Sequence, residues 1–169
     1  MRIKVQTVKV TYDLDFKRSV SVIRGESGTG KTYLSVLLEQ YQRLKGSSGV
    51  SVTCDRHVTT VLEDPVNYNT YIAEHCNDVV FLDEEVAIQK ASSLLRGLKD
   101  AGAWIVVISR KDSKKKYVEC AVDSVYSIHT SGKYKHLKQV LDIVDVRNKD
   151  FKLYTEDEGS GNIWFCECS

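Results

Sequence analysis

The first part of the chain alternates between apolar and polar positions. Apolar side chains recur at every second residue, at Val8, Val10, Tyr12, Leu14 and Phe16. This period of two predicts that residues 3–16 are extended and have one buried face. Residues 19–24 predict a second strand, which leads directly into a glycine-rich loop.

Beyond that loop the apolar period changes to that of a helix. Apolar side chains follow helical spacing at Leu34, Leu37, Leu38, Tyr41 and Leu44. The glycines of residues 46–49 end this helix, and residues 50–54 predict a short strand. Asp64 and Pro65 are residue types favoured at an N-cap and at the first helical position, so they predict the start of the next helix.

Two unbroken apolar runs, residues 79–82 and 104–108, are typical of strands buried on both faces of a sheet. A helical pattern separates them and ends near Gly102, and residues 125–129 predict one more strand. This order of strands and helices predicts an α/β fold with a mainly parallel sheet.

The last part of the chain has a less definite pattern. Residues 134–146 fit either a helix or a strand. Residues 151–154 and 163–168 predict an antiparallel pair around a glycine turn. A chain of 169 residues has the length of one domain, so residues 1–169 are predicted to form a single domain.

The glycine-rich loop, residues 25–32, reads GESGTGKT and matches the phosphate-loop pattern G-x-x-x-x-G-K-[ST] at every fixed position. Its glycines let successive N–H groups turn toward phosphate oxygens, and the following helix adds partial positive charge. We expect Lys31 to reach the β- and γ-phosphates and the Thr32 hydroxyl to ligate Mg²⁺. The predicted nucleotide-binding residues are Gly25, Glu26, Ser27, Gly28, Thr29, Gly30, Lys31 and Thr32.

Carboxylates follow the apolar run at residues 79–82. Asp83 is predicted to hold Mg²⁺ beside Thr32, directly or through water. Glu84 is then placed to orient or deprotonate the water that attacks the γ-phosphate, and Glu85 competes for that role. The alternative is an acidic cap of the following helix, where carboxylates interact favourably with the helix dipole.

With these two motifs together, the chain resembles the P-loop NTPases over residues 19–130. More narrowly, it resembles the branch with an extra strand before the acidic strand and a Glu after the Asp, which includes AAA+, RecA-like and ABC ATPases. The resemblance implies a three-layer P-loop NTPase fold with a mainly parallel sheet, helices on both faces and antiparallel additions at both ends. Residues 131–169 would be a C-terminal extension.

The same resemblance implies a role for Ser109. In this family the strand after the acidic one lies beside the phosphate-loop strand and ends in a polar sensor of the γ-phosphate. Ser109 follows the run at residues 104–108 and is the matching residue. The alternative for Ser109 is a simple cap at the end of a strand.

Several departures narrow the resemblance. The sequence has no LSGGQ-type signature of ABC ATPases, no segment matching the helical lid of AAA+ modules and no GTPase base-recognition motif. ATP and Mg²⁺ are therefore the predicted cofactors. In size and order of elements the chain is also similar to small ATPase domains of phage and mobile-element proteins, including zonula-occludens-toxin-like assembly ATPases.

Net charge gives no global argument for a nucleic-acid partner. The chain has 24 Lys and Arg against 23 Asp and Glu, a net charge of +1. Two basic stretches are nonetheless candidates for a nucleic-acid-binding rim, with solvated loops as the alternative. Their lysines are Lys111, Lys114, Lys115, Lys116, Lys133 and Lys135. Arg56, Arg96 and Arg110 are candidates for an arginine finger that acts on a neighbouring subunit.

The sequence predicts neither export nor a membrane span. The N-terminus lacks the apolar segment of a signal peptide. The longest apolar runs are much shorter than the roughly 20 residues that a spanning helix needs. Five cysteines with scattered spacing fit buried thiols in a reducing compartment. The expected location is cytoplasmic.

Together these features predict an Mg²⁺-dependent ATPase in which Lys31, Glu84 and Ser109 are catalytic. ATP hydrolysis would drive the assembly or action of a protein partner or of further copies of the chain, in a phage or mobile-element process. Two alternatives stay open. One is a small-molecule kinase, for instance of a nucleoside, and the other is a slow, nucleotide-gated binding switch.

Overall fold

The computed structural model describes residues 1–26, 28–110 and 124–140. Within these residues nine strands form one sheet, accompanied by three α-helices and one 3-10 turn. The strands are β1 (Arg2–Gln6), β2 (Thr11–Asp15), β3 (Val20–Gly25), β4 (Ser51–Thr53), β5 (Val58–Val61), β6 (Val79–Asp83), β7 (Trp104–Arg110), β8 (Val125–Ser131) and β9 (Tyr134–Gln139). The helices are α1 (Lys31–Leu44), α2 (Tyr68–Glu74) and α3 (Ala91–Asp100), and the 3-10 turn is Lys45–Ser47.

The sheet is mixed, with the strand order β4-β1-β2-β9-β8-β3-β7-β6-β5. Strand β3 pairs in parallel with both β7 and β8, and β6 pairs in parallel with β5 and β7. Strands β2 and β9 are also parallel. The pairs β1–β2, β1–β4 and β8–β9 are antiparallel.

The predicted three-layer α/β P-loop fold, a mainly parallel sheet with helices on both faces, is wrong. The described residues form a nine-stranded mixed sheet with only three α-helices. The physical reason lies in two hairpins, β1–β2 and β8–β9, which supply four of the nine strands. Antiparallel strands joined by a tight turn need no crossover helix, whereas parallel neighbours need one.

The alternating segment at the N-terminus folds as two strands and not as one extended run. The chain turns back between β1 and β2, where the Thr7 N–H donates to the Val10 carbonyl over 2.8 Å. Val8 lies in this turn and is 98% exposed, although its position in the alternation predicted burial. The other apolar positions of the pattern, including Tyr12 and Leu14, are buried as predicted.

The predicted strand at residues 50–54 is present as β4, but it pairs with β1 at the far edge of the sheet. On the side away from β7, β6 pairs with β5, a strand that no pattern in the sequence predicted. Residues 134–146, left open between helix and strand, form β9 as far as Gln139. The predicted strand pair at residues 151–154 and 163–168 lies outside the described residues.

The predicted helix start at Asp64 and Pro65 is also corrected. Helix α2 begins three residues later, at Tyr68, and its N-cap is Asn67, whose side chain accepts from the Thr70 N–H. The Asp64 carboxylate instead accepts from the Tyr68 hydroxyl over 2.6 Å. Asp64 therefore anchors the segment before the helix rather than capping it.

Two apolar clusters hold the sheet and helices together. The first joins α1 to β1, β2 and β6, and contains Phe16, whose ring packs edge-on against those of Tyr126 and Phe81. The second joins α3 to β6 and β7 through Leu94, Leu95 and Leu98. No helix among the described residues is both long enough and apolar enough to cross a membrane.

Candidate functional site

The loop of residues 25–32 connects β3 directly to α1. Gly25 is the last residue of β3, and Lys31 is the first residue of α1. Gly28 and Gly30 have φ angles of 85° and 95°, a region that residues with a Cβ rarely adopt. Ser27, one of the predicted nucleotide-binding residues, lies outside the described residues. Gly28 and Gly30 therefore allow the backbone to turn sharply between β3 and α1.

Lys31 folds its side chain back over this loop. Its ammonium group donates to the carbonyls of Gly25 and Glu26, over 2.6 and 2.7 Å, and to the Thr29 hydroxyl over 3.2 Å. The residue is only 7% exposed. Burial lowers the pKa of Lys31, and the nearby Glu84 carboxylate opposes that change. The loop thus holds one partly desolvated cation among backbone oxygens.

Asp83 ends β6 and faces α1. One of its oxygens, Oδ2, accepts a hydrogen bond of 2.5 Å from the Ser35 hydroxyl. Its other oxygen, Oδ1, accepts from the Glu85 N–H over 3.0 Å. Thr32 lines the same cleft as Asp83 and Ser35, so the cleft wall carries two hydroxyl residues and this carboxylate. This set of oxygen donors suits Mg²⁺.

Ser35 was missed by sequence reasoning, although a signal for it existed. It follows Thr32 by three positions in α1, and residues so spaced lie on the same face of a helix. The helical pattern of α1 therefore placed both hydroxyls on one side. What the pattern did not specify was that this side faces Asp83.

Glu84 is held by two hydrogen bonds from β7. Its carboxylate accepts from the Ser109 hydroxyl at Oε2 over 2.8 Å and from the Arg110 N–H at Oε1 over 2.7 Å. The Glu84 N–H donates to the Ile108 carbonyl. Glu84 is 9% exposed. Ser109, the candidate sensor, thus contacts Glu84, and its hydroxyl fixes the orientation of that carboxylate.

Glu85 has different surroundings from Glu84. Its side chain is exposed, and its carboxylate pairs with the Arg110 guanidinium. Because that guanidinium is itself 74% exposed, the pair lies at the surface. Of the two carboxylates that competed for the role of general base, Glu84 is the buried and oriented one.

Strand pairing brings these residues together. In the parallel pair of β3 and β7, Arg24 lies opposite Ser109 and Gly25 opposite Arg110. In the parallel pair of β6 and β7, Asp83 lies opposite Ile108. The carboxyl ends of all three strands therefore meet at one edge of the sheet. The loop, Asp83 and Glu84 share that edge.

A second lysine lies at the loop, on the side of β2 and β9. The hydroxyl of the buried Tyr12 donates to the Gly30 carbonyl over 2.8 Å, and burial raises the pKa of Tyr12. The Lys135 ammonium lies 5.9 Å from the centre of the Tyr12 ring and donates to the Thr130 hydroxyl. A Cβ added to Gly30 would lie only 2.9 Å from that ammonium. Both residues were missed as parts of the loop site, because no local signal predicts the pairing of β2 with β9.

A cleft of about 490 Å³ opens beside Thr32 and Asp83. Its polar lining is rich in carboxylates, from Glu39, Glu63, Asp64, Asp83 and Glu85. Among the residues that the structure describes, no lysine or arginine lines it. This charge disfavours a nucleic-acid backbone and favours a cation or a neutral molecule.

Of the remaining basic candidates, the structure describes Lys133, Arg56, Arg96 and Arg110. Lys133 is exposed in the turn after β8, whereas Lys111, Lys114, Lys115 and Lys116 lie outside the described residues. Arg56 donates to the Asn77 and Gly102 carbonyls at the opposite end of the strands from the loop. Arg96 is exposed on α3. Of the three candidate arginine fingers, Arg110 is the one that lies at the loop edge.

The comparisons with known proteins assign no family. No family model matches this chain, and no curated protein matches its sequence. The functional assignment therefore depends on the geometry of the loop, Asp83 and Glu84.

Proposed function

We propose that this protein binds ATP with Mg²⁺ at residues 25–32 and hydrolyses it with Glu84 as the general base. The observation that carries the proposal is the meeting of three groups at one edge of the sheet. These groups are the loop with its Lys31 ammonium, the Asp83 carboxylate held by the Ser35 hydroxyl, and the buried Glu84 carboxylate.

Phosphate binding is assigned to the loop and Lys31. In the structure the Lys31 ammonium donates to the carbonyls of Gly25 and Glu26. Phosphate oxygens are charged acceptors and form stronger hydrogen bonds with an ammonium than neutral carbonyls do. Lys31 would therefore exchange these carbonyls for phosphate oxygens with little movement of its backbone. The N-terminus of α1 adds partial positive charge at the same place.

Thr32 and Asp83 are assigned to Mg²⁺, which when bound neutralises charge on the phosphates. Ser35 holds Asp83 through the hydrogen bond of 2.5 Å to Oδ2, so that Oδ2 is oriented and Oδ1 is held by the Glu85 N–H. An oriented carboxylate loses less freedom when it binds an ion. We assign Ser35 as a positioning residue for Asp83.

Glu84 is assigned as the base because it is both oriented and poorly solvated. The hydrogen bonds from Ser109 and the Arg110 N–H hold both of its oxygens. A base held in this way can accept a proton from an attacking water without first losing rotational freedom. The Arg110 guanidinium approaches both carboxylates, but the Glu85 side chain is 57% exposed, whereas Glu84 is only 9% exposed.

The pair Glu84→Gln and Glu85→Gln tests this assignment. Glu84→Gln is expected to lower kcat for phosphate release by about 100-fold or more and to keep ATP affinity within about twofold, since a general base contributes about 10²–10⁴. Glu85→Gln, an identical change one residue away, is the matched control and is expected to keep kcat within about threefold. Equal turnover in the two variants would contradict the choice of Glu84.

A phosphotransferase is a second candidate, and the cleft beside Thr32 and Asp83 is the observation that favours it. A volume of about 490 Å³ is large enough for a small phosphate acceptor. The acidic lining would suit a neutral or cationic acceptor. A nucleoside that stimulates ADP release and appears as a phosphorylated product would favour this candidate over hydrolysis.

A further inference from the structure

Three side chains with metal-binding atoms meet at the opposite end of the strands from the loop. His57 precedes β5, His75 is the C-cap of α2, and Asp78 precedes β6. Their ligand atoms all lie within 4.8 Å of one another. We propose that His57, His75 and Asp78 bind one Zn²⁺ ion. This site is separate from the proposed nucleotide site and does not depend on it.

The distances in this triad are close to those of a metal site. The Nδ1 atoms of His57 and His75 lie 3.0 and 2.7 Å from the same oxygen of Asp78, Oδ2. Around tetrahedral zinc, with bonds of about 2.0–2.1 Å, neighbouring ligand atoms are about 3.3 Å apart. Each imidazole nitrogen therefore needs to move away from Asp78 Oδ2 by only a few tenths of an ångström to reach the spacing of two zinc ligands.

Hydrogen bonds between the backbones of the three segments hold the ligands in place. The Asp78 N–H donates to the His75 carbonyl over 3.2 Å, and the Val79 N–H donates to the His57 carbonyl over 2.8 Å. The His75 ring also packs on the Tyr71 ring, with 4.3 Å between their centres. Because folding already holds these groups together, metal binding would lose little conformational freedom.

The ligand set selects the class of ion. Two imidazole nitrogens and one carboxylate suit Zn²⁺ and its transition-metal neighbours, whereas Mg²⁺ and Ca²⁺ prefer oxygen ligands alone. The nearby Arg56 guanidinium donates to the carbonyls of Asn77 and Gly102. The His57 side chain is 64% exposed, so a water molecule can complete the coordination from that side.

Zinc bound at this site would stabilise the fold and would not take part in the chemistry proposed at the loop. Its ligands join the end of α2 to the starts of β5 and β6. Asp78 directly precedes β6 and Asp83 is its last residue, so the two lie five positions apart, which corresponds to about 16 Å of extended chain. Zinc would therefore stabilise the packing of α2 against the sheet without contacting the proposed Mg²⁺ ligands.

Zinc titration of the full chain, after EDTA treatment and dialysis, tests the proposal. Wild type is expected to bind one Zn²⁺ per chain in calorimetry, and its melting temperature is expected to rise. The double variant His57→Ala/His75→Ala is expected to bind Zn²⁺ at least about 100-fold more weakly, because even a lost outer partner of a metal ligand costs 10–100-fold.

The matched control is the variant His129→Ala/His136→Ala, which removes another close pair of imidazoles, 5.1 Å apart. It is expected to bind Zn²⁺ as wild type does. Asp78→Asn keeps the size of the side chain and removes one proposed ligand. Its circular-dichroism spectrum, compared with that of wild type, shows whether a loss of Zn²⁺ binding comes from a loss of folding. Zinc affinity that is unchanged in His57→Ala/His75→Ala, or no binding by wild type at 100-fold molar excess, would overturn the proposal.

Discussion

Glu84 and Glu85, which follow β6, have the same side chain but lie in different environments. Glu84 is buried and accepts two hydrogen bonds from β7, whereas Glu85 is exposed and pairs with a surface arginine. Both residues lie in the turn that follows β6, in which the Val86 N–H donates to the Asp83 carbonyl over 3.0 Å. The Glu84 N–H donates to the Ile108 carbonyl and so holds Glu84 against β7, whereas Glu85 stays at the surface. The burial and partners of each carboxylate, rather than the residue type, separate the two proposed roles.

Ser109→Ala tests the positioning of Glu84. The change removes one hydrogen bond to the Glu84 carboxylate and leaves the one from the Arg110 N–H. A hydrogen bond to a charged group contributes about 1.5–3 kcal/mol, so kcat for ATP hydrolysis is expected to fall about 10- to 150-fold, while the Kd for ATP stays unchanged. Steady-state turnover and equilibrium binding measure the two quantities.

Ser92→Ala, at an exposed position on α3, is the control for that change. It is expected to match wild type in both measurements. If Ser109→Ala weakened ATP binding as strongly as it lowered kcat, Ser109 would contact the nucleotide itself rather than position Glu84.

At the scale of elements, the hairpin β8–β9 and strand β2 support the loop of residues 25–32 from one side. The Tyr12 hydroxyl holds the Gly30 carbonyl, and that carbonyl belongs to the same peptide unit as the Lys31 N–H. A trans peptide points its carbonyl and N–H in opposite directions. Fixing the carbonyl therefore also fixes the direction of the Lys31 N–H, one of the donors assigned to phosphate.

Tyr12→Phe tests this support. The phenyl ring keeps the packing of the core and removes only the hydrogen bond to Gly30. The Kd for ATP is expected to rise about 2- to 10-fold, the equivalent of one hydrogen bond. Tyr33→Phe is the control, because Tyr33 is an exposed residue of α1. Equal ATP affinity in Tyr12→Phe and wild type would show that the hydroxyl does not support the loop.

The packing of α3 on the sheet gives a prediction for stability. Leu98 is fully buried in the cluster that α3 forms with β6 and β7. Leu98→Ala is expected to lower the free energy of unfolding by about 2–5 kcal/mol, measured by urea denaturation, because the cavity it leaves cannot fully collapse. Leu44→Ala, at an exposed position, is expected to change it by less than about 0.5 kcal/mol. A small loss in Leu98→Ala would contradict the described packing.

At the scale of the whole molecule, local patterns predicted several elements but not the arrangement of the sheet. The apolar runs at residues 79–82 and 104–108 became β6 and β7, and the helical spacing after residue 31 became α1. Each of these signals is contained in one short segment. The pairing of β2 with β9 joins segments more than 120 positions apart, and no periodic pattern encodes such a contact.

The residues of the candidate site likewise fall into two groups, those that a local motif predicts and those whose contacts depend on the fold. Residues 25–32 and 83–84 are contiguous motifs, and a motif can be identified without knowing the fold. The contact of Tyr12 with Gly30 and that of Ser35 with Asp83 depend on strand order and helix packing. The triad at His57, His75 and Asp78 combines three separate segments, so its sequence spacing matches no simple metal-binding pattern.

The loop at residues 25–32 is proposed to bind ATP with Mg²⁺. Calorimetric titration of ATP into the full chain tests this binding most directly. Wild type is expected to bind one ATP per chain. Lys31→Ala is expected to weaken binding at least about tenfold, because hydrogen bonds to a charged group contribute about 1.5–3 kcal/mol. Lys9→Ala, at an exposed position in the turn after β1, is the control and should bind as wild type does. Binding of equal strength in Lys31→Ala, or no binding by wild type at millimolar ATP, would contradict the claim.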